Sequence, residues 1–335
     1  MMMLEDAQAI RLINHYQGGF PLESRPFARI ASDLDITHQK VLHVIQSLLE
    51  GGWINRFGPL FDAQQLGGAV TLAALSVPEE RFEEVTRCVN QFVEVAHNYR
   101  REHLLNMWFV VSCDSQQRLQ QVLELIQHDT GLQVYNCPKL KEYYVGLQFV
   151  IDEQGPVSTI PVEHAQKNRE PGPAQGRLDS VDRNIIRVCQ NGLALLSRPY
   201  LQIAEQLKMT ESEVLKRLQL MLDRGIIRRI GLVPNHYKLG FRGNGMVVWN
   251  VDDEQVDEIG QLLGSQSYVS HCYQRPRHLP FWPYNLFTMV HGRDKHEVSV
   301  KVKALEELLL AQHFEHEILL SSAILKKTGL RLAAA

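Results

Sequence analysis

The chain has 335 residues, 44% of them apolar and 22% charged, with a formal net charge of −3. That length gives room for two to four domains with cores of their own, and the ordinary composition marks a soluble globular protein. The charge balance excludes bulk attraction to nucleic acid or anionic membranes, and no apolar run approaches the roughly 18 residues of a membrane span. The opening Met-Met-Met-Leu-Glu-Asp lacks the basic-then-apolar order of a signal peptide. Five cysteines, odd in number and never spaced C-x-x-C, fit reduced thiols in a cytoplasmic protein better than disulfides or a zinc site.

Along the chain, an apolar helical rhythm runs over residues 4–16. A short helix, Phe27–Leu34, is followed by a tight turn, by Thr37 as N-cap of a longer helix, and by Gly52 as its end. An extended Ile-x-Arg-x-Gly stretch completes a winged helix-turn-helix. The pattern then becomes strand Val70–Val77, helix Glu80–Phe92, strands Val95–Tyr99 and Asn106–Cys113, helix Gln116–His128, and strand around Val134 and Tyr143–Val150. That order is βαββαβ, a ferredoxin-like sheet with helices on one face. Residues 152–177, rich in Pro, Gly, Gln and charge, read as a linker.

After the linker the same order returns. Arg25-Pro26-Phe27 through Leu66-Gly67 reappears without a gap as Arg198-Pro199-Tyr200 through Leu239-Gly240, at a constant offset of 173 residues. Identical pairs include Ile30/Ile203, Thr37/Thr210, Val41/Val214, Arg56/Arg229 and Gly58/Gly231. A period this long is beyond a solenoid unit, so the chain is a duplicated pair. Thr210 with Glu213 reads as a capping box. The second βαββαβ runs Gly245–Val251, Glu254–Leu263, Tyr268–Tyr273, Asn285–His291, His296–Ala311 and Glu317 onward. The fold class is therefore α+β, a tandem duplication divided at 1–66, 67–151, 152–177, 178–240 and 241–335. Each sheet has an uncovered face, and the other half supplies its partner. Two sheets face to face are expected to enclose a cavity, and the halves to form an internal pseudo-dimer.

Two motifs stand out in the first half, His97-Asn98-Tyr99-Arg100-Arg101-Glu102-His103 and Asn106-Met107-Trp108-Phe109. Their counterparts are Ser270-His271-Cys272-Tyr273-Gln274-Arg275 and Trp282-Pro283-Tyr284-Asn285 through Gly292. In a regular strand His97, Tyr99 and Arg101 point to one face, as do His271, Tyr273 and Arg275. On these motifs the chain resembles the siroheme decarboxylases, in particular the fused two-subunit type of heme d1 biosynthesis, which share the Lrp/AsnC architecture of winged helix plus βαββαβ effector domain. The resemblance covers nearly the whole chain outside the linker. It is specific in the two motifs and unspecific in the helix-turn-helix.

The resemblance implies a carboxy-lyase that removes CO2 from the C12 and C18 acetates of siroheme. The iron tetrapyrrole is then substrate, and the protein needs no cofactor or metal of its own. His97, His103 and His271 become acid/base candidates because imidazole titrates near working pH, with Tyr99 and Tyr273 assisting. One of these histidines could instead ligate the substrate iron. Arg100, Arg101, Arg275 and Arg277 become carboxylate clamps. Asn106, Asn285, Trp108 and Trp282 complete the substrate-binding set. Trp108 and Trp282 read more simply as packing residues, although Trp282 sits in an inserted loop, Pro276 to Pro283, suited to covering a pocket. Lys139, Lys141, Lys326, Lys327 and Arg331 read mainly as solvated strand-end charges, and His291 as a satisfied strand-end histidine. Either half is left to bear the chemistry. The competing readings are an Lrp/AsnC-type DNA-binding regulator, a heme-responsive sensor, or a scaffold. DNA is expected not to bind, because one recognition helix opens with Glu211 and Glu213 where phosphates would lie. A homodimer and contacts with other enzymes of heme d1 synthesis are the remaining partner expectations.

Overall fold

The computed structural model describes residues 6–62, 65–146, 148–152, 157–160, 178–309 and 314–327. The first half contains α1 (Ala7–Tyr16), α2 (Pro26–Leu34), α3 (His38–Glu50), β1 (Ile54–Phe61), β2 (Ala69–Leu75), α4 (Phe82–Gln91), β3 (Val95–Arg101), β4 (Met107–Cys113) and α5 (Gln116–Thr130). It continues with β5 (Tyr135–Pro138), β6 (Lys141–Val145) and β7 (Gln148–Val150), and β8 (Ser158–Ile160) pairs with β7. The second half contains α6 (Ser180–Cys189), α7 (Pro199–Leu207), α8 (Glu211–Asp223), β9 (Ile227–Pro234), β10 (Gly243–Trp249), α9 (Val256–Gly264), β11 (Val269–Gln274), β12 (Leu286–Gly292), α10 (Lys295–Leu308) and β13 (His316–Lys327). The predicted elements return within a few residues. The exceptions are the strand expected over Tyr143–Val150, which is two strands, and the expected linker, part of which is β8. Most of that linker lies outside the described residues.

The chain forms two compact units that pair like with like, one holding both helix-turn-helix modules and the other both βαββαβ modules. In the first unit, the repeat fixes matching local devices. Pro26 and Pro199 open α2 and α7 at positions where a missing N–H costs nothing. Thr37 and Thr210 cap α3 and α8 through their hydroxyls. The reciprocal capping box forms at Asp179 and Asp182 of α6, whereas Glu213 turns toward Arg217 at 3.6 Å. The two wing strands join into one two-stranded ribbon with a strand from each half, because β1 pairs antiparallel with β9.

The conserved Arg-x-Gly of the repeat explains that crossing. Arg56 donates to the Gln190 carbonyl at the end of α6, and Arg229 donates to the Gln17 carbonyl at the end of α1. Each guanidinium thus caps a helix of the opposite half at its negative end. Gly58 and Gly231 face each other across the ladder. A Cβ on Gly231 would lie 2.5 Å from the Tyr16 carbonyl oxygen, so main chain passes where a side chain would stand.

In the second unit the strand order is β5-β2-β4-β3-β13-β10-β12-β11-β6. The last strands are exchanged between halves. From Val248 to Gly245, β10 pairs with Glu317 to Leu320 of β13, whose continuation from Ser321 to Lys327 pairs with β3 of the other half. Reciprocally, β5 pairs with β2 while β6 pairs with β11. Two helix-covered cores result, one around Phe82, Val85, Met107, Phe109 and Leu119, the other around Trp249, Ile259, Leu263, Val298 and Leu305. The third core lies on the opposite sheet faces, between the halves, and contains Trp108, Leu105, Met246, Val248, Trp282 and Phe287.

The exchange of β6 depends on a glycine. Tyr143 of β6 lies on α9, its hydroxyl donating to Asp257 at 2.7 Å. A Cβ on Gly260 would stand 2.4 Å from the Tyr143 ring. Gly260→Ala is expected to cost about 1–3 kcal/mol by overpacking, read as a lower urea midpoint with an unchanged slope.

Candidate active site

The register confirms the expected facing of both triplets. Tyr99 lies opposite Trp108 and His97 opposite Val110, while Tyr273 lies opposite Phe287 and His271 opposite Met289. Directly paired residues share a sheet face, so His97, Tyr99, Arg101, His271, Tyr273 and Arg275 all face the space between the halves. Both third strands carry a β-bulge immediately before the histidine, between Val95 and His97 and between Val269 and His271. Bulges re-aim side chains, and here they turn the extra residue, Ala96 or Ser270, at the root of the imidazole.

The middle of that space is packed, which corrects the expectation of a chamber there. Trp108 and Trp282 are both fully buried, with ring centroids 5.1 Å apart, and Tyr284 and Phe287 lie within 6.0 Å of Trp282. The loop expected to cover a pocket instead drives Trp282 into the core, because an indole buries more apolar area there than over solvent. Clefts of about 360 Å³ beside Asp114, Ser115 and Arg118 and about 350 Å³ beside Arg56 and Leu193 contain none of the expected site residues.

Several expected substrate contacts have structural roles. Asn106 clasps Val77, accepting from its N–H at 2.9 Å and donating to its carbonyl at 2.8 Å, and Asn285 clasps Val251 in the same way. Both amides therefore close the turn leaving the first strand of their sheet. Arg100 points to the helix-covered side, paired with Glu79 at 2.6 Å and lying over the Phe82 ring. Arg277 braces the inserted loop against the Pro283 and Val251 carbonyls and Asp253. Arg101 is buried and Arg275 half-buried, and each donates to a main-chain carbonyl of the opposite half, Leu319 and Cys137 respectively. They tie the halves together before they can clamp a carboxylate.

His103, also expected in the acid/base set, is engaged at both ring nitrogens. Its Nδ1 accepts from the Leu105 N–H at 2.9 Å, its Nε2 meets Glu317 at 2.7 Å, and its ring stands edge-on to Trp282. Both nitrogens are engaged in holding the hairpin. His278, in the longer second hairpin, packs similarly against Tyr135 and contacts the Asn136 carbonyl at 2.8 Å.

His97 and His271 occupy equivalent positions with different surroundings. Beside His97 stands Lys327, its partner across β13 and β3. Burial first, and the Lys327 charge second, push the His97 pKa down to about 4, so its imidazole is neutral at pH 7. Its Nδ1 is buried without a hydrogen-bond partner among the described residues. Burial lowers the Lys327 pKa as well. Lys326 turns away and donates to the Asn90 and Phe92 carbonyls at the end of α4; Lys139 pairs with Glu142 and Lys141 with Asp257. Arg331 lies outside the described residues.

His97 makes folding pH-dependent. The unfolded chain takes up this proton near pH 6.5 and the folded chain only near pH 4, so acidification between those values favours unfolding. His97→Gln is expected to recover up to about 2 kcal/mol of the stability lost between pH 7 and pH 5, measured from urea midpoints at the two pH values.

In the second half, Ser270 replaces Ala96 and His291 stands where the first half has Ser112. The buried Ser270 hydroxyl lies 2.8 Å from His271 Nδ1 and 2.8 Å from His291 Nε2. Motif reading alone left His291 as a strand-end residue. The available signal was that both positions change together between otherwise matched strands. Among the described residues, no group of three or more His, Cys, Asp or Glu side chains is arranged to hold a metal ion.

A sandwich of exchanged ferredoxin-like sheets with helix-turn-helix modules defines the AsnC-like class. Residues 65–143 and 238–326 match the AsnC-like ligand binding domain, and residues 10–54 and 182–228 match the siroheme decarboxylase NirDL-like HTH domain. The chain is 32% identical to the siroheme decarboxylase NirDL subunit of Paracoccus denitrificans, over 99% of both chains. It is 52% identical to the siroheme decarboxylase NirH subunit of Pseudomonas aeruginosa over 45% of this chain and 88% of that one. A crystal structure of the siroheme decarboxylase NirDL in co-complex with an iron-uroporphyrin III analogue matches with a TM-score of 0.71 and 26% identity, covering 98% of this chain and 94% of that one. The chain belongs to the siroheme decarboxylase family, and it is a carboxy-lyase.

Proposed function

We propose that the protein decarboxylates siroheme at the C12 and C18 acetates, giving 12,18-didecarboxysiroheme for heme d1 synthesis. The observation that carries this reading is the pair of histidine-tyrosine sites on matching bulged strands, facing inward from both halves of a chain whose relatives bear this activity. Each loss of CO2 breaks one C–C bond, and its electron pair ends in a new C–H bond, so each acetate consumes one proton. No oxidant enters. The proton donor is His271, with Tyr273 beside it at 5.8 Å between ring centroids. His97, neutral and desolvated, suits ligation of the substrate iron. Lys327 supplies positive charge toward the substrate carboxylates. Because the core between the sheets is filled, the macrocycle binds toward the outer ends of β3 or β11. No cofactor of the protein's own enters the reaction, and the cytoplasm is its compartment.

DNA binding is not part of this reading. Glu211 at the start of α8 neutralises Arg198, and Arg217 of the same helix is held by Asp179 and Asp182, both at 2.8 Å. Those cations are engaged by carboxylates, which weakens any attraction to phosphate. Relatives named as subunits suggest a companion chain of the same family as the further partner. Anaerobic incubation of the purified protein with siroheme, followed by mass spectrometry, is expected to show loss of two CO2. Unchanged tetrapyrrole, both alone and with a NirDL-type chain added, together with salt-sensitive DNA retention, would favour the regulator.

A further inference from the structure

We propose that Ser270 and His291 form a proton relay to His271, which makes the second half the productive acid site. The inference rests on the decarboxylase reading and deepens it by assigning two positioning residues that act through His271.

The geometry constrains the hydrogens. A serine hydroxyl has one proton, and here it lies 2.8 Å from two imidazole nitrogens, with the Met289 carbonyl as a longer third contact at 3.3 Å. It can donate to only one imidazole, so the other must donate to it. In the tautomer that serves transfer, His291 Nε2–H donates to Ser270 Oγ, and Ser270 Oγ–H donates to His271 Nδ1. When His271 gives its Nε2 proton to the substrate carbon, Nδ1 takes the serine proton and the serine takes the His291 proton. His291 enters as the imidazolium, so the net change is one proton moved from His291, which ends as a neutral imidazole, to the new C–H bond, and one proton per turnover resets the relay. His291 stands half-buried at the end of β12, next to the Gly292-Arg293 turn.

The first half lacks both elements. Ala96 has no hydroxyl, and Ser112 occupies the position of His291. The bulge is retained in both halves, so the difference lies in side-chain chemistry on one shared backbone.

The test uses the full chain with siroheme, following turnover by mass spectrometry and binding by the absorption change. Ser270→Ala and His291→Ala are each expected to lower kcat at least about tenfold with KM little changed, as loss of proton delivery requires. Ser270→Thr, which keeps the hydroxyl, should retain most of the turnover lost in Ser270→Ala, and added imidazole should restore His291→Ala. Wild-type kcat in both alanine variants overturns the relay, as does loss of KM alone. Should Ser270→Ala fail to fold, the half-buried His291→Ala and its imidazole response decide the matter alone. Full turnover in His271→Ala would instead remove the acid assignment, and a wild-type chain that leaves siroheme intact, both alone and with a NirDL-type chain added, would remove the decarboxylase reading.

Discussion

His271→Ala is expected to lower kcat for CO2 loss by about 10²–10⁴-fold while leaving siroheme binding nearly intact. The size follows from the bond changes. As CO2 departs, the electron pair left on the macrocycle must be captured by a proton, and a positioned imidazole delivers it without waiting for solvent. Single-turnover kinetics under anaerobic conditions, with binding titrated separately, check this. His103→Ala is the control among the histidines. Its ring serves the Glu317 pair and the Trp282 edge contact, so the change should appear as lost stability with chemistry retained. A His103→Ala variant as inactive as His271→Ala, yet stably folded, would place His103 in the reaction.

Trp282→Ala should be the most damaging single change to the fold, costing about 3–5 kcal/mol. The indole is fully buried and touches aromatic rings from both halves: Trp108 at 5.1 Å, Tyr284 at 5.0 Å and Phe287 at 6.0 Å between centroids. Its removal leaves a cavity in the layer that joins the sheets. Phe281, its chain neighbour, is 64% exposed, and Phe281→Ser should change stability by no more than about 0.5 kcal/mol. Equilibrium urea unfolding of the two variants, side by side, checks both values. Equal losses would mean that the loop, and not the indole, carries the contact.

The repeat, the element order and the facing of the two histidine strands were legible in the sequence because period and register are linear properties. A two-residue alternation fixed the side of the sheet on which His97 and His271 stand, and the matching motifs located both strands. What the strands face was not legible. Whether the gap between sheets is hollow depends on where an inserted loop puts one indole, and nothing in Pro276–Pro283 states that Trp282 turns inward. The arginines show the same limit. Arg101 and Arg275 have the composition of a carboxylate clamp, yet each finds a main-chain carbonyl on a strand of the opposite half, and that meeting is a property of the folded chain. Ser270 and His291, 21 positions apart in sequence, meet only because a bulge places one beside the end of a neighbouring strand.

The long final strand β13 belongs to neither half alone. Its first stretch completes one sheet, its second stretch completes the other, and β6 returns the exchange. Neither βαββαβ module can therefore melt by itself without stripping an edge from its twin. Proteolytic nicking between the repeats should leave two fragments that stay clasped and unfold in a single cooperative step. For such a chain, covalent fusion contributes equal dosage and correct mating of the two unlike partners, while the interlock supplies the cohesion.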